Sequence, residues 1–94
     1  MTSYNIDQFS KITNIPKLSL RTWENRYSYL VPLRTKTNIR VYSDDLLVRG
    51  INTKLLLENG HKISNVSKMD DQEVQTAVEH IGLSNNKDIK VSYY

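Results

Sequence analysis

IPKLSLRTWENRYSYLVPLRTKTNIRVYSDD, residues 15–45, is the stretch that decides the fold of this chain. Pro16 suits the first turn of a helix, where its missing N–H is not needed. At 100° per residue, Leu20, Trp23 and Tyr27 fall on one face. Leu18, Arg21, Thr22 and Asn25 fall on the other, with Arg26 beside them. The spacing therefore predicts a helix over about 17–27, with an apolar inner face and a hydrogen-bonding, cationic outer face. Glu24 lies at the edge between them, within reach of a basic neighbour. From residue 30 to residue 42 the period changes. Pro32 resists a helix, and Val31, Leu33, Ile39 and Val41 favour extended chain. Lys36-Thr37-Asn38 marks a turn tip. A hairpin over 31–42 follows, carrying Arg34, Lys36 and Arg40 on or near its tip.

Upstream, residues 4–13 read YNIDQFSKIT, with Ile6, Phe9 and Ile12 on one face of a short amphipathic helix and Asn5 placed to cap it. Thr13-Asn14-Ile15-Pro16 is the turn, and Asn tolerates the left-handed conformation that ends a helix. About three residues separate the two helical patterns, a corner as tight as a helix-turn-helix requires. Downstream, Ser43 can cap a third helix whose first turn carries Asp44 and Asp45 at the positive end of its dipole. Leu46, Leu47, Ile51, Leu55 and Leu56 form its expected core stripe, and Asn59-Gly60 closes it. Gly50 inside this helix costs about 1 kcal/mol relative to Ala; a close helix crossing and a tolerated defect explain it equally well. Ile63, Val66 and Met69 suggest a short fourth helix. Asp70-x-x-Glu73 has the form of a capping box opening a fifth, with Val74, Ala77, Val78 and Ile81 as its apolar stripe and Gly82 as its end. Residues 83–94 show no period and are expected as a mobile tail or linker. The division is thus a domain over 1–69, a short amphipathic helix over 70–82 and a tail over 83–94. The fold class is mostly α: a winged helix-turn-helix with a two-stranded β-hairpin wing.

Ninety-four residues support one small core and little room for a deep substrate cavity. The net charge of +3 is unevenly spread. Residues 1–42 hold seven Lys and Arg against two acids, whereas residues 43–94 hold six against eight. Such asymmetry favours a polyanion for the first half. The chain has no cysteine, which removes disulfide and thiol chemistry and fits a cytoplasmic location. No apolar run reaches membrane-spanning length, and no signal peptide is visible. His61 and His80 are isolated in sequence, without partners at metal-ligand spacing. The Asp44-Asp45 and Asp70-Asp71 pairs sit at helix starts, where capping explains them. No catalytic residue, metal or cofactor is expected, and the chain is not read as an enzyme.

Two basic elements adjacent in sequence and offset in shape suit a nucleic-acid duplex. A helix fits the major groove, where base edges are distinguishable. Lys17, Ser19, Arg21, Thr22, Asn25 and Arg26 are the candidate contacts on the helix. Arg34, Lys36, Thr37, Asn38 and Arg40 are those on the hairpin, directed at flanking backbone or the minor groove. Phosphate contacts would position the module and base contacts would specify. Trp23, Tyr27 and Tyr29 invite a single-strand stacking reading, but Trp23 falls on the core face.

Residues 4–69 resemble the MerR family of bacterial transcription regulators. The strongest matches are S-L-R-T-W-E-N-R-Y at 19–27, L-x-P-x-R-T at 30–35, and the run Asn38, Arg40, Tyr42, Ser43, Asp44, Asp45, Leu46. The W-E-x-R-Y form, with the preceding Ile-Pro, looks most like the subgroup whose DNA-binding domain precedes a cobalamin-binding, light-responsive module. The resemblance implies a winged helix with Arg21 and Arg40 meeting DNA. It also implies a homodimer or higher oligomer on a duplex operator or promoter, where RNA polymerase is a further partner. Asn14 replaces the usual turn Gly, and Leu18 stands where many members carry a polar or basic residue. No long dimerisation helix and no effector domain is read after residue 69. Cobalamin and metal binding are therefore not carried over, and a monomer is the expectation for this chain alone. Two other readings use the same fold: a phage excisionase or DNA-packaging winged helix, and a protein-interaction module presenting the stripe of helix 71–81.

Overall fold

A left-handed asparagine sets the corner from which the fold is built. The structure, a computed structural model, describes residues 3–93, with side chains described for residues 3–82. Helix α1 spans Ile6–Thr13. Its capping box is complete: the Gln8 N–H donates to Asn5 Oδ1 (2.8 Å), and the Asn5 N–H donates to the Gln8 side chain (3.0 Å). Asn14 then takes φ 60°, which turns the chain out of the helix. The Thr13 hydroxyl donates to the Phe9 carbonyl and accepts from the Ile15 N–H, and the Ser10 hydroxyl donates to the Ile15 carbonyl. These bonds satisfy the backbone groups that a tight corner would otherwise leave unpaired. Helix α2 spans Lys17–Tyr27, as its periodicity predicts, and Ser28 ends it at φ 49°.

The wing is strands β2 (Leu33–Arg34) and β3 (Arg40–Ser43), antiparallel, with Leu33 opposite Val41 and Arg34 opposite Arg40. A third strand, β1 (Ser3–Tyr4), joins the other edge of β3 and completes a sheet in the order β1-β3-β2. Tyr4 therefore does not belong to the first helix. Two residues are too few for strand alternation to show in sequence. Their place comes from pairing with Tyr42 and Ser43 and from the Tyr4 hydroxyl donating to Asp44 Oδ1 (2.8 Å).

Ser43 caps α3 (Asp44–Glu58) through its hydroxyl, which accepts from the Leu46 N–H. After Gly60 at φ 94° come α4 (Ile63–Val66) and α5 (Asp71–Tyr93). The Asp70–Glu73 capping box is made in both directions. The expected stop at Gly82 is absent, because α5 runs through it. One glycine raises the free energy of a helix interior by about 1 kcal/mol, less than is needed to end a helix where no proline follows. The tail expected over 83–94 lies beyond the described side chains.

Phe9, Ile15, Leu20, Tyr42, Leu56 and Val66 are fully buried, and the Phe9 and Tyr42 rings stack at 4.2 Å. On α3 the buried positions are Gly50, Thr53 and Leu56. Ile51, expected in the core stripe, is instead 45% exposed. The stripe is rotated because α1 crosses α3 at Gly50. A Cβ there would lie 2.8 Å from Phe9 Cζ and 3.0 Å from Thr13 Cγ2. Of the two explanations for this glycine, the close crossing holds. Val74 of α5 is buried, and Ala77, Val78 and Ile81 are half-buried beside it against the same core.

Gly50→Ala improves helix propensity, yet it should lower stability by about 1–3 kcal/mol through overpacking. Urea or thermal unfolding measures this, and an unchanged or raised midpoint would contradict the crossing.

Candidate nucleic-acid interface

The outer face of α2 is open. Leu18, Arg21, Thr22, Asn25 and Arg26 are exposed, and Ser19 is half-buried. Leu20 and Trp23 are buried on the opposite face. The helix therefore presents the sides that its periodicity assigns. Arg26 lies over the Tyr27 ring at 5.8 Å, which holds its guanidinium close to the helix end. The Thr22 hydroxyl donates back to the Leu18 carbonyl (2.8 Å). Lys17 reaches α1, where its ammonium pairs with Asp7 at 2.7 Å. That hydrogen bond and charge, with help from Lys11 and Arg21, hold the Asp7 carboxyl below its usual range. Both partners are half or more exposed, so the pair adds little stability.

The wing is joined to α2 through one carboxylate. Arg34 and Arg40 stand directly opposite each other on β2 and β3, where like charges repel. Glu24 of α2 sits against both. Its Oε2 accepts from Arg34 at 2.7 Å and its Oε1 from Arg40 Nε at 2.9 Å. The Glu24 side chain is only 10% exposed. Burial works against its charge, but the hydrogen bonds from Arg40 and Arg34 outweigh burial and keep the carboxyl below its usual range. Glu24 lies three residues from Arg21, about 60° around the helix. The anchored wing therefore leaves α2 alongside the Arg21 edge.

Local bonds shape the wing tip. The Thr35 N–H donates to the Ile39 carbonyl, the Asn38 N–H donates to the Thr35 carbonyl, and the Thr35 hydroxyl oxygen accepts from the Ile39 N–H. Asn38 adopts φ 64° and accepts from Arg34 through its carbonyl and side-chain oxygens. Thr35 and Thr37 share a hydroxyl hydrogen bond, and Lys36 is exposed. Every sequence-predicted residue thus falls on α2 or the wing. Arg34 and Arg40 carry a structural bond in addition to any external one.

Arg49 is a residue whose importance sequence patterning misses. Its Nε donates to the Tyr29 hydroxyl at 3.1 Å, and the guanidinium lies over the Tyr29 ring at 5.1 Å. The same group bonds the Asp71 carboxylate and the Met69 carbonyl. Tyr29 also shares a buried hydrogen bond with Thr53 (2.6 Å). One guanidinium thereby joins the segment after α2 to the head of α5. An arginine between the leucines of α3 reads as an ordinary surface charge until these partners are brought together.

Trp23 and Tyr29 are buried with ring centroids 6.5 Å apart, so neither is available to stack on a base. His61 and His80 line one open groove of about 550 Å³ with Met69, Glu73, Ala77 and Ile81. Among the described residues no three His, Asp or Glu side chains come together to hold a metal ion. Among the same residues no helix is long and apolar enough to cross a membrane.

Glu24 has its carboxyl depressed in the folded state, so its contribution is present at neutral pH. It is lost as pH falls below the usual 4.5 and through the lower folded value. Glu24→Gln should lower stability at neutral pH by about 1–3 kcal/mol and flatten the acid limb of a stability–pH profile. An unchanged limb would show that the clamp contributes nothing.

Residues 4–73 match the MerR HTH family of regulatory proteins. The HTH-type transcriptional regulator MlrA of Escherichia coli K12 is 30% identical over 69 residues, covering 73% of this chain and 28% of that protein. MlrA of Salmonella typhimurium SL1344 is 32% identical over 66 residues, covering 70% of this chain and 27% of the relative. The chain thus spans little more than a quarter of the length of these relatives. Its left-handed corner, outward-facing second helix and clamped wing agree with a family match that covers well over half the sequence: the chain belongs to the MerR HTH family of regulatory proteins.

Proposed function

We propose that this chain binds duplex DNA sequence-specifically in the service of transcription regulation, with α2 in the major groove and the wing on flanking backbone. The observation that carries this reading is the Glu24 clamp. It holds a basic ribbon at a fixed angle beside an exposed helix face that carries Arg21, Asn25 and Arg26. Two such elements match a groove and the phosphates next to it. The similarity to transcriptional regulators named MlrA points the same way.

In this reading Arg21, Asn25 and Arg26 meet base edges or phosphates, with Ser19 and Thr22 as short polar contacts at the groove wall. Lys17 shares its charge between Asp7 and the backbone. Lys36, Thr37 and Asn38 follow the phosphates from the wing tip, with Arg34 and Arg40 behind them. A two-fold operator or promoter and contact with RNA polymerase complete the reading, with a homodimer or higher oligomer assigned to a full-length form and a monomer to this chain alone.

Selection of bound duplexes from a random pool, followed by mass measurement of the complex, tests it. A fixed sequence should emerge, and affinity should fall steeply with added salt because phosphates are neutralised. Arg21→Ala and Arg26→Ala should each weaken binding by about 1–3 kcal/mol. No duplex binding at low salt, or unchanged affinity in both variants with the fold intact, would remove this function.

A further inference from the structure

Leu18 is a large apolar side chain placed where solvent gains nothing from it. It is 74% exposed, on the face of α2 that also carries Arg21, Thr22 and Asn25. Positions 18, 21, 22 and 25 follow the i, i+3, i+4, i+7 spacing of one helix face. Leu18 is the large apolar member of that row and stands in the first turn of α2. In helix-turn-helix docking the N-terminal residues of the second helix are those that reach base edges.

Its immediate neighbour is also less polar than its name suggests. The Thr22 hydroxyl donates to the Leu18 carbonyl at 2.8 Å, so its proton is engaged inside the helix and the methyl is left as the free end of the side chain. A leucine and a threonine methyl one turn apart make a small apolar notch between cationic and amide groups. The one apolar group displayed by base edges in the major groove is the C5-methyl of thymine.

We propose that Leu18, with the Thr22 methyl, reads the 5-methyl group of a thymine and so fixes one position of the recognised sequence. This assignment rests on the duplex-binding reading above. The polar residues of the same face supply attraction and orientation. The apolar notch supplies discrimination, because burying the methyl on Leu18 removes two apolar surfaces from water at once.

The test uses the duplex selected from the random pool and replaces each fixed thymine, one at a time, by deoxyuridine, which lacks only the methyl. At one position per half-site the affinity of the unaltered chain should fall about fourfold, as expected for the burial of one methyl-sized group. Leu18→Ala should bind the thymine duplex about fourfold more weakly and bind the deoxyuridine duplex equally well, with an unchanged salt slope. Circular dichroism checks that α2 is retained, as an exposed position allows. Selection that fixes no thymine, indifference of the unaltered chain to every deoxyuridine, or full discrimination kept by Leu18→Ala overturns the assignment while duplex binding stands. Absence of duplex binding at low salt removes both readings together.

Discussion

The carboxylate of Glu24 is the group on which the arrangement of the outer surface depends. Two arginines face each other across a hairpin only a few residues long, and without a counter-ion their repulsion would weaken that hairpin. Glu24 supplies one oxygen to each and sits low enough to be poorly screened by salt. Because Glu24 is on α2, the bond that closes the wing also orients it against the helix. The exposed helix and the basic ribbon are thereby one rigid unit. This coupling matters for any duplex ligand, since misplacing either element loses the contacts of both.

Beneath that surface, two devices hold the helices. The crossing of α1 over α3 depends on Gly50, which lets the Phe9 ring reach Tyr42 and form the centre of the core. One position before Gly50 on α3, Arg49 collects Tyr29, Met69 and Asp71 around one guanidinium. The first device is apolar and close-packed. The second is a polar hub with several fixed donors, a role suited to the planar guanidinium. Between them, α3 links the segment that follows the exposed helix to the start of α5.

The exposed face itself is mixed rather than uniformly basic. Arg21, Asn25 and Arg26 carry hydrogen-bonding capacity, whereas Leu18 and the Thr22 methyl do not. Phosphates are the same at every base pair, so cations alone give affinity without choice. In the proposed reading, an apolar point set among them distinguishes the bases by a methyl group.

Much of this was legible in the residues because it is governed by near neighbours. The caps at Asn5, Ser43 and Asp70, the left-handed Asn14, the bounds of α2 and the turn at Lys36-Thr37-Asn38 each follow from chemistry within a few positions, and the structure has them where the pattern puts them. What tertiary structure alone decided involves partners distant in the chain. The pairing of β1 with β3, the rotation of α3 that exposes Ile51, the double bond of Glu24 and the Arg49 hub all join residues sixteen or more positions apart, save the shorter reach to Arg34. Periodicity reports which side of an element is apolar. It does not report which neighbour arrives on that side, or how closely, and those are settled by the three-dimensional competition for space and for hydrogen-bond partners.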